Sequence, residues 1–258
     1  MITRLGALVI ANVEEVGRFL LFTARALAGG LMPPYRLRQL FKQMHFVGIQ
    51  SLTIVVITGL FTGMVFTVQS DYAFAMFGAQ GLIGSTVMLA MTRELGPVLT
   101  ALMVNGRVGS AMAAEIGTMR VTEQIDALEA MAINPHQYLV APRMAAGFVM
   151  VPMLCVVFDA AGLAGSWLVA TQMLAVNIGG FTSRIEWYVD PEDIWGGMIK
   201  AAAFGVILSA VGCYRGFHTI GGAEGVGQAT TRAVVISSVA ILVSDYFMTL
   251  ALLPYMNG

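Results

Sequence analysis

The chain has 258 residues, is 57% hydrophobic and 11% charged, and carries a formal charge of −1, with a mean hydropathy of +0.78. Ordinary globular domains are roughly 25% charged, so this is a membrane composition, and a near-neutral chain without a basic block excludes a nucleic-acid or polyanion binder. Cys155 and Cys213 lie in apolar runs with no CxxC spacing and almost no histidine nearby, which excludes a zinc site or a disulfide framework and marks both as small core residues.

Residues 1–30 place Leu5, Leu8, Val9, Val13, Val16, Leu20 and Leu27 at helical spacing, with Glu14, Arg18 and Arg25 on another face. The pattern predicts an amphipathic helix lying along a membrane surface, although a soluble amphipathic helix would share it. Glu14 and Glu15 stand where a signal peptide would be cleaved, so a removable leader is not expected. Met32-Pro33-Pro34-Tyr35 ends this helix, and Arg36, Arg38 and Lys42 lead into the first span. The chain thus divides into an interfacial helix with its lead-in, 1–47, and a five-span region, 48–255, of a single membrane domain.

Span one, 48–70, has no charge and reaches about 34 Å as a helix, enough to cross a hydrocarbon core. Gly59 and Gly63 form a GxxxG pair that lets a second helix approach, although such pairs also arise by chance. A turn, 71–81, precedes span two, 82–106, which holds Arg93, Glu94 and Pro97. Residues 107–143 read as a polar connection and 144–172 as span three, with Pro152 and Asp159 inside it. An outer loop, 173–193, carries Trp187 and Tyr188, suited to an interface. Asp190, Pro191, Glu192 and Asp193 read as an N-cap, a proline at the first helical position and a negative first turn. Span four, 194–214, contains Lys200; a glycine-rich loop, 215–232, leads to span five, 233–255, which contains Asp245.

Eleven of the fourteen Lys and Arg fall on one side of this topology, Arg184 alone on the other, and Arg93 and Lys200 within spans. The positive-inside rule then places the amino terminus in the cytoplasm and the carboxyl terminus outside.

Ionised residues within spans are costly and mark functional positions unless they only fix packing. Arg93, Glu94, Lys200 and Asp245 fall in the middle or outer part of the bilayer, and their charges sum to zero. Neighbouring residues point about 100° apart on a helix, so the economical expectation pairs Arg93 and Glu94 with Asp245 and Lys200 across helices, around a water-accessible cavity. Asp159 adds a further acid at similar depth, with no role assigned. On the opposite side, 115–135 places Val121, Ile125, Leu128 and Ala132 on one helical face and Glu123, Asp126 and Glu129 on another. Tied to two spans, such a helix either transmits force from a soluble partner or is a solvated connection. Gly222-Ala-Glu-Gly-Val-Gly227 has phosphate-loop glycines, but Gln228 replaces the required lysine and no strand precedes it; with no GxSxG or HExxH either, neither ATP hydrolysis nor an ordinary hydrolase is expected.

The run RELGPVLTALMVNGRVGSAMAAEIGTMRVTEQIDALEAMAINP, then Pro142-Arg143 and GVGQATTRAVVISS, resembles the MlaE family of ABC-transporter permeases. The likeness covers nearly the whole chain and is weakest over 1–40 and in the outer loop. It implies a homodimeric inner-membrane permease for phospholipid, in a bacterium with two membranes. The implied partners are a cytoplasmic ABC ATPase that holds the ATP and Mg, a STAS-domain protein and a periplasmic hexameric MCE-domain ring, with no cofactor on this chain. The family's coupling helix matches 115–135, with Glu115, Glu123, Ile125, Leu128 and Glu129 among its residues. Its intramembrane polar positions match Glu94, Lys200 and Asp245, and its lipid cavity lies between two permease copies. Read without the resemblance, the same acids and lysine also fit a proton-linked transporter needing no ATPase, and the whole chain fits a membrane scaffold.

Overall fold

The computed structural model describes residues 2–31, 33, 36–174 and 178–256, and among them every regular element is helical and no strand occurs. Five helical stretches among the described residues are long and apolar enough to cross a membrane: Leu37–Ala75, Gln80–Val121, His136–Gln172, Pro191–Phe217 and Gly222–Tyr255.

Helix α1 (Ile2–Leu31) packs on the His136–Val140 turn and on the two long helices Ala141–Gln172 and Pro191–Phe217. Phe22 and Ala26 are buried, and Phe22 packs edge-on to Tyr214 and Phe217. Val13, Val16, Leu20 and Leu27 are exposed. At 100° per residue these two sets lie on separate faces. The stripe read as membrane-facing is therefore the one the bundle leaves uncovered, whereas a second apolar face, Phe19, Phe22 and Ala26, docks on the protein. Met32, Pro34 and Tyr35 of the expected stop, and the side chains of Leu5, Leu8 and Val9, lie outside the described residues.

Helix α2 (Leu37–Val47) runs through a tight turn at Ile49–Ser51 into α3 (Leu52–Ala75), so the basic lead-in is helical and continuous with span one. Span two comprises α4 (Ile83–Ala90), α5 (Gly96–Val104) and α6 (Ser110–Val121), joined without a break by wide π-helical turns at Met91–Leu95 and Asn105–Gly109. It thus extends fifteen residues past its expected end at 106. Arg107 does not close the span but holds the start of span one, donating to the Phe46 carbonyl at 3.1 Å and Ser51 Oγ at 2.9 Å. The expected polar connection shrinks to the short α7 (Gln124–Ala130) and its flanking turns, because a further π-helical turn at His136–Val140 opens directly into α8 (Ala141–Gln172).

The outer loop contains α9 (Ile178–Tyr188), whose Phe181 is buried against Gly84. Helix α10 (Pro191–Phe217) opens as expected, with Pro191 in its first turn and Asp193 Oδ2 accepting from the Asp190 N–H at 3.1 Å. Helix α11 (Gly222–Met256) corrects the second loop: 222–232 is helical, leaving only His218–Gly221 as connection. Of its glycines, Gly225 packs on the Ile220 carbonyl, whereas a Cβ at Gly222, where φ is +65°, or at Gly227 would meet nothing within 4 Å.

The bundle closes on backbone contacts. A Cβ at Gly59 would meet the Phe158 carbonyl, one at Gly63 the Gly162 backbone, and one at Gly165 the Leu60 carbonyl, so α3 and α8 touch along a glycine seam. Gly147 and Gly205 make the equivalent approach between α8 and α10. Cys155 and Cys213 are free and buried.

Candidate functional site

The intramembrane cluster is organised by one close crossing. Gly197 of α10 packs on the Thr92 carbonyl inside the first wide turn of span two. Asp193 stands four residues before that crossing and Lys200 three residues after it. Arg93 and Glu94, pointing about 100° apart, therefore reach opposite ways along α10.

Arg93 pairs with Asp193, Nη2 to Oδ1 at 2.6 Å, with Nε also donating to Oδ1 at 2.6 Å. This corrects the expected pairing with Asp245: the arginine's long side chain reaches the buried first-turn acid of α10, which the sequence reading had explained only as a helix start. Asp193→Ala should then remove one partner of the guanidinium and the acceptor for Asp190, lowering stability by roughly 2 kcal/mol, whereas Asp193→Asn keeps that acceptor and should cost less; thermal unfolding of the purified variants ranks them.

Lys200 is 0% exposed. Its Nζ donates to Glu94 Oε2 at 3.0 Å, to the Arg93 carbonyl at 3.0 Å and to Thr249 Oγ1 at 2.6 Å, and lies 3.2 Å from Asp245 Oδ1. Thr249 in turn donates to the Asp245 carbonyl at 2.9 Å and lies 3.2 Å from Glu94 Oε1. A buried ammonium needs such a set of partners, since an unpaired one costs several kcal/mol. The four charges expected to cancel in one group are instead split: Arg93 forms a neutral pair with a fifth, Asp193, and the other three form a triad of one cation and two acids with a net charge of −1 if all three are ionised. Glu94 is the open member, its side chain 44% exposed.

Asp159 is buried on α8 against Gly96, next to the wide turn, with Cys155 Sγ at 3.7 Å from Oδ2; it stands outside the triad. Thr249 and Asn105 are site residues that sequence reasoning missed. Buried Asn105, in the second wide turn, donates to the Val234 carbonyl and Ser238 Oγ at 3.0 Å each and accepts from Ser237 at 2.6 Å, tying α11 to span two. A polar residue beside glycine in an apolar run was the only available signal.

The opposite end carries the connector. The single helix read across 115–135 is instead three pieces. Glu115 lies on α6 and pairs with buried Arg143 of α8 at 2.8 Å. Glu123 has a left-handed backbone, φ 58°, and breaks α6 from α7; Ala132, φ 57°, ends the turn after α7. Val121 and Ala132 are consequently exposed and leave the expected face, while Ile125 is buried and Leu128 packs against the core. Glu123, Asp126 and Glu129 are exposed, so α7 shows an acidic outer surface and is anchored beneath by Ile125 and Leu128.

Comparison with known proteins agrees with this architecture. The family described as permease MlaE matches residues 40–251. A probable ABC transporter permease of Rickettsia felis is 43% identical over 244 residues, covering 95% of this chain and 94% of its own. The intermembrane phospholipid transport system permease protein MlaE of Haemophilus influenzae is 40% identical over 255 residues, covering 96% and 95%. A probable ABC transporter permease of Synechocystis is 44% identical over 212 residues, 82% and 81% of the two chains.

Proposed function

Since this chain belongs to the MlaE permease family, we propose that it is the membrane-embedded permease subunit of an ABC-type transporter that moves phospholipid between the inner and outer membranes. Two copies enclose the lipid, and a separate cytoplasmic ATPase, which holds the ATP and Mg, acts on the acidic surface of α7. A STAS-domain protein and a periplasmic MCE-domain ring complete the assembly. The amino terminus and α7 face the cytoplasm, the carboxyl terminus the periplasm.

The observation that carries this reading is the triad. It places a half-open carboxylate, Glu94, on a fully buried lysine within the bilayer. Beside it α11 presents Leu242, Val243, Tyr246, Phe247 and Leu250 uncovered. An amphipathic cargo needs that combination, apolar wall for the tails and a few fixed polar groups. The exposed face of α11 is also the surface on which a second copy would close.

Coupling is tested with Leu128→Asp, which removes the anchor of α7, and Glu129→Lys, which changes only its outer surface. In the assembled complex both should leave assembly intact and cut lipid transport by about two- to thirtyfold, corresponding to coupling energies of about 0.5–2 kcal/mol. Unchanged transport by both variants would remove α7 from the mechanism. The purified permease alone in liposomes should show no lipid or proton flux driven by a pH gradient; flux under those conditions would replace this reading with a proton-linked transporter.

A further inference from the structure

A separate groove lies where α1 meets the last turns of α10 and the first half of α11, its inner end at Ala240 and its outer end at Gly225, on the side of α11 that precedes the triad. Two cavities meet at Arg215. One, of about 260 Å³, is walled by Val16 and Phe19 of α1, Val211 and Tyr214 of α10, and Ile236 and Ala240 of α11, with Glu15 and Arg215 as its charged members. The other, of about 190 Å³, is polar and takes Arg215, His218, Gln228 and Arg232 around Gly225 and Ala229.

On α11 the lining residues Gly225, Ala229, Arg232, Ile236 and Ala240 recur every three or four positions, so they form one continuous strip. From first to last the strip rises about 22 Å at 1.5 Å per residue, which matches one leaflet with its headgroup region, half of roughly 40–45 Å. Polarity changes once along it, cationic at the bundle end and apolar further in. The charged groups there are unevenly paired. Arg215 has Glu15 at 2.8 Å, exposed Glu224 lies 3.4 Å from Gln228, and Arg232 is in no ion pair among the described residues. Both volumes fall below the roughly 300–1,000 Å³ of a drug-sized ligand pocket, so the groove takes a phosphate and the upper part of one chain, the remainder lying in the bilayer against the uncovered face of α1.

We propose that this groove binds a glycerophospholipid of the leaflet on the α1 side, its phosphate between Arg215 and Arg232 and one acyl chain along Phe19, Val211 and Ile236. The assignment relies on the function proposed above only for naming that leaflet cytoplasmic.

The test is native mass spectrometry of the assembled complex, delipidated and then offered phosphatidylglycerol or a diacylglycerol with the same chains. Arg232→Glu removes the phosphate partner, Ile236→Trp fills the apolar half, and Arg18→Glu, on the exposed charged side of α1, controls for net charge. Retained phosphatidylglycerol should fall about tenfold or more in Arg232→Glu, as loss of a charge-assisted contact implies, fall also in Ile236→Trp, and stay at the wild-type level in the third. Glu94→Ala should retain the groove lipid while transport is lost, so failure of the transport reading would not imitate failure here. Equal phosphatidylglycerol in all variants would overturn the proposal. So would equal retention of the diacylglycerol, or a change of oligomeric state in Ile236→Trp with lipid content unchanged, which would make the groove an interface between copies.

Discussion

A Lys200→Met chain is expected to unfold far below the wild type and to transport no lipid. The substitution conserves most of the side-chain volume but leaves Glu94 and Asp245 facing one another without the ammonium that lies 3.0 and 3.2 Å from them. Breaking a buried pair by removing one partner costs roughly 3–5 kcal/mol, a shift in midpoint on the order of 10 °C for a chain of this size. Combining Lys200→Met with Glu94→Gln and Asp245→Asn removes the uncompensated charge as well, and replacing a whole buried ionic group is often neutral. The triple variant should therefore regain most of the thermal stability and still fail to transport. Transport by a stable triple variant would show that the triad only fixes packing.

Gly63→Leu is expected to yield no folded protein. A Cβ there would overlap the Gly162 carbonyl, and the obstacle is backbone, which has no rotamer to change. The α3–α8 seam would have to open along its length, losing the Thr67 to Ser166 hydroxyl hydrogen bond of 2.7 Å as well. Overpacking of this kind belongs with the rare substitutions costing more than about 4 kcal/mol. Gly227→Ala is the informative contrast: nothing lies within 4 Å of a Cβ at that helical position, so the added methyl should stabilise α11 by about 0.5–1 kcal/mol. Expression and monodispersity in detergent distinguish the two; a well-behaved Gly63→Leu protein would mean that the seam is not closed.

The spans were legible in the sequence because their hydropathy is set by the bilayer, but helix ends are set by hydrogen bonding and packing. Residues 107–121 carry Arg107, Glu115 and Arg120 and look like a loop to any measure of apolarity, yet the helix continues to Val121 because Arg107 and Glu115 have partners on α2, the following tight turn and α8. Residues 222–232 look like a loop for their glycines, of which Gly225 serves close packing on the Ile220 carbonyl and Gly222 takes a positive φ where the helix starts. Helix α9 did leave a trace, since Ile178, Phe181 and Ile185 repeat at helical spacing, but its short apolar stripe is diluted by glycines and charges.

At the site, the sequence brought Glu94, Lys200 and Asp245 together correctly and misplaced Arg93. Depth counted along straight helices put Asp193 at the surface and Arg93 well below it. The wide turn at Met91–Leu95 and the reach of an arginine side chain close that gap, and neither has a signature in composition or period. Glu123 and Ala132, both left-handed without being glycine, were likewise invisible, which is why one predicted helix over 115–135 became three segments.

The glycine contacts have a mechanical meaning. Where α3 meets α8 and α8 meets α10, main chain rests on main chain, and nothing between them can be compressed or swung aside. Those three helices behave as a stiff plate. Helix α11 is tied by exchangeable side-chain contacts, from Asn105 to Val234 and Ser238 and from Lys200 to Thr249 and Asp245, and α1 by edge-on rings and the Glu15–Arg215 ion pair. Side-chain contacts of this kind can be exchanged one for another, whereas parting the glycine seams would pull backbone from backbone along whole helices.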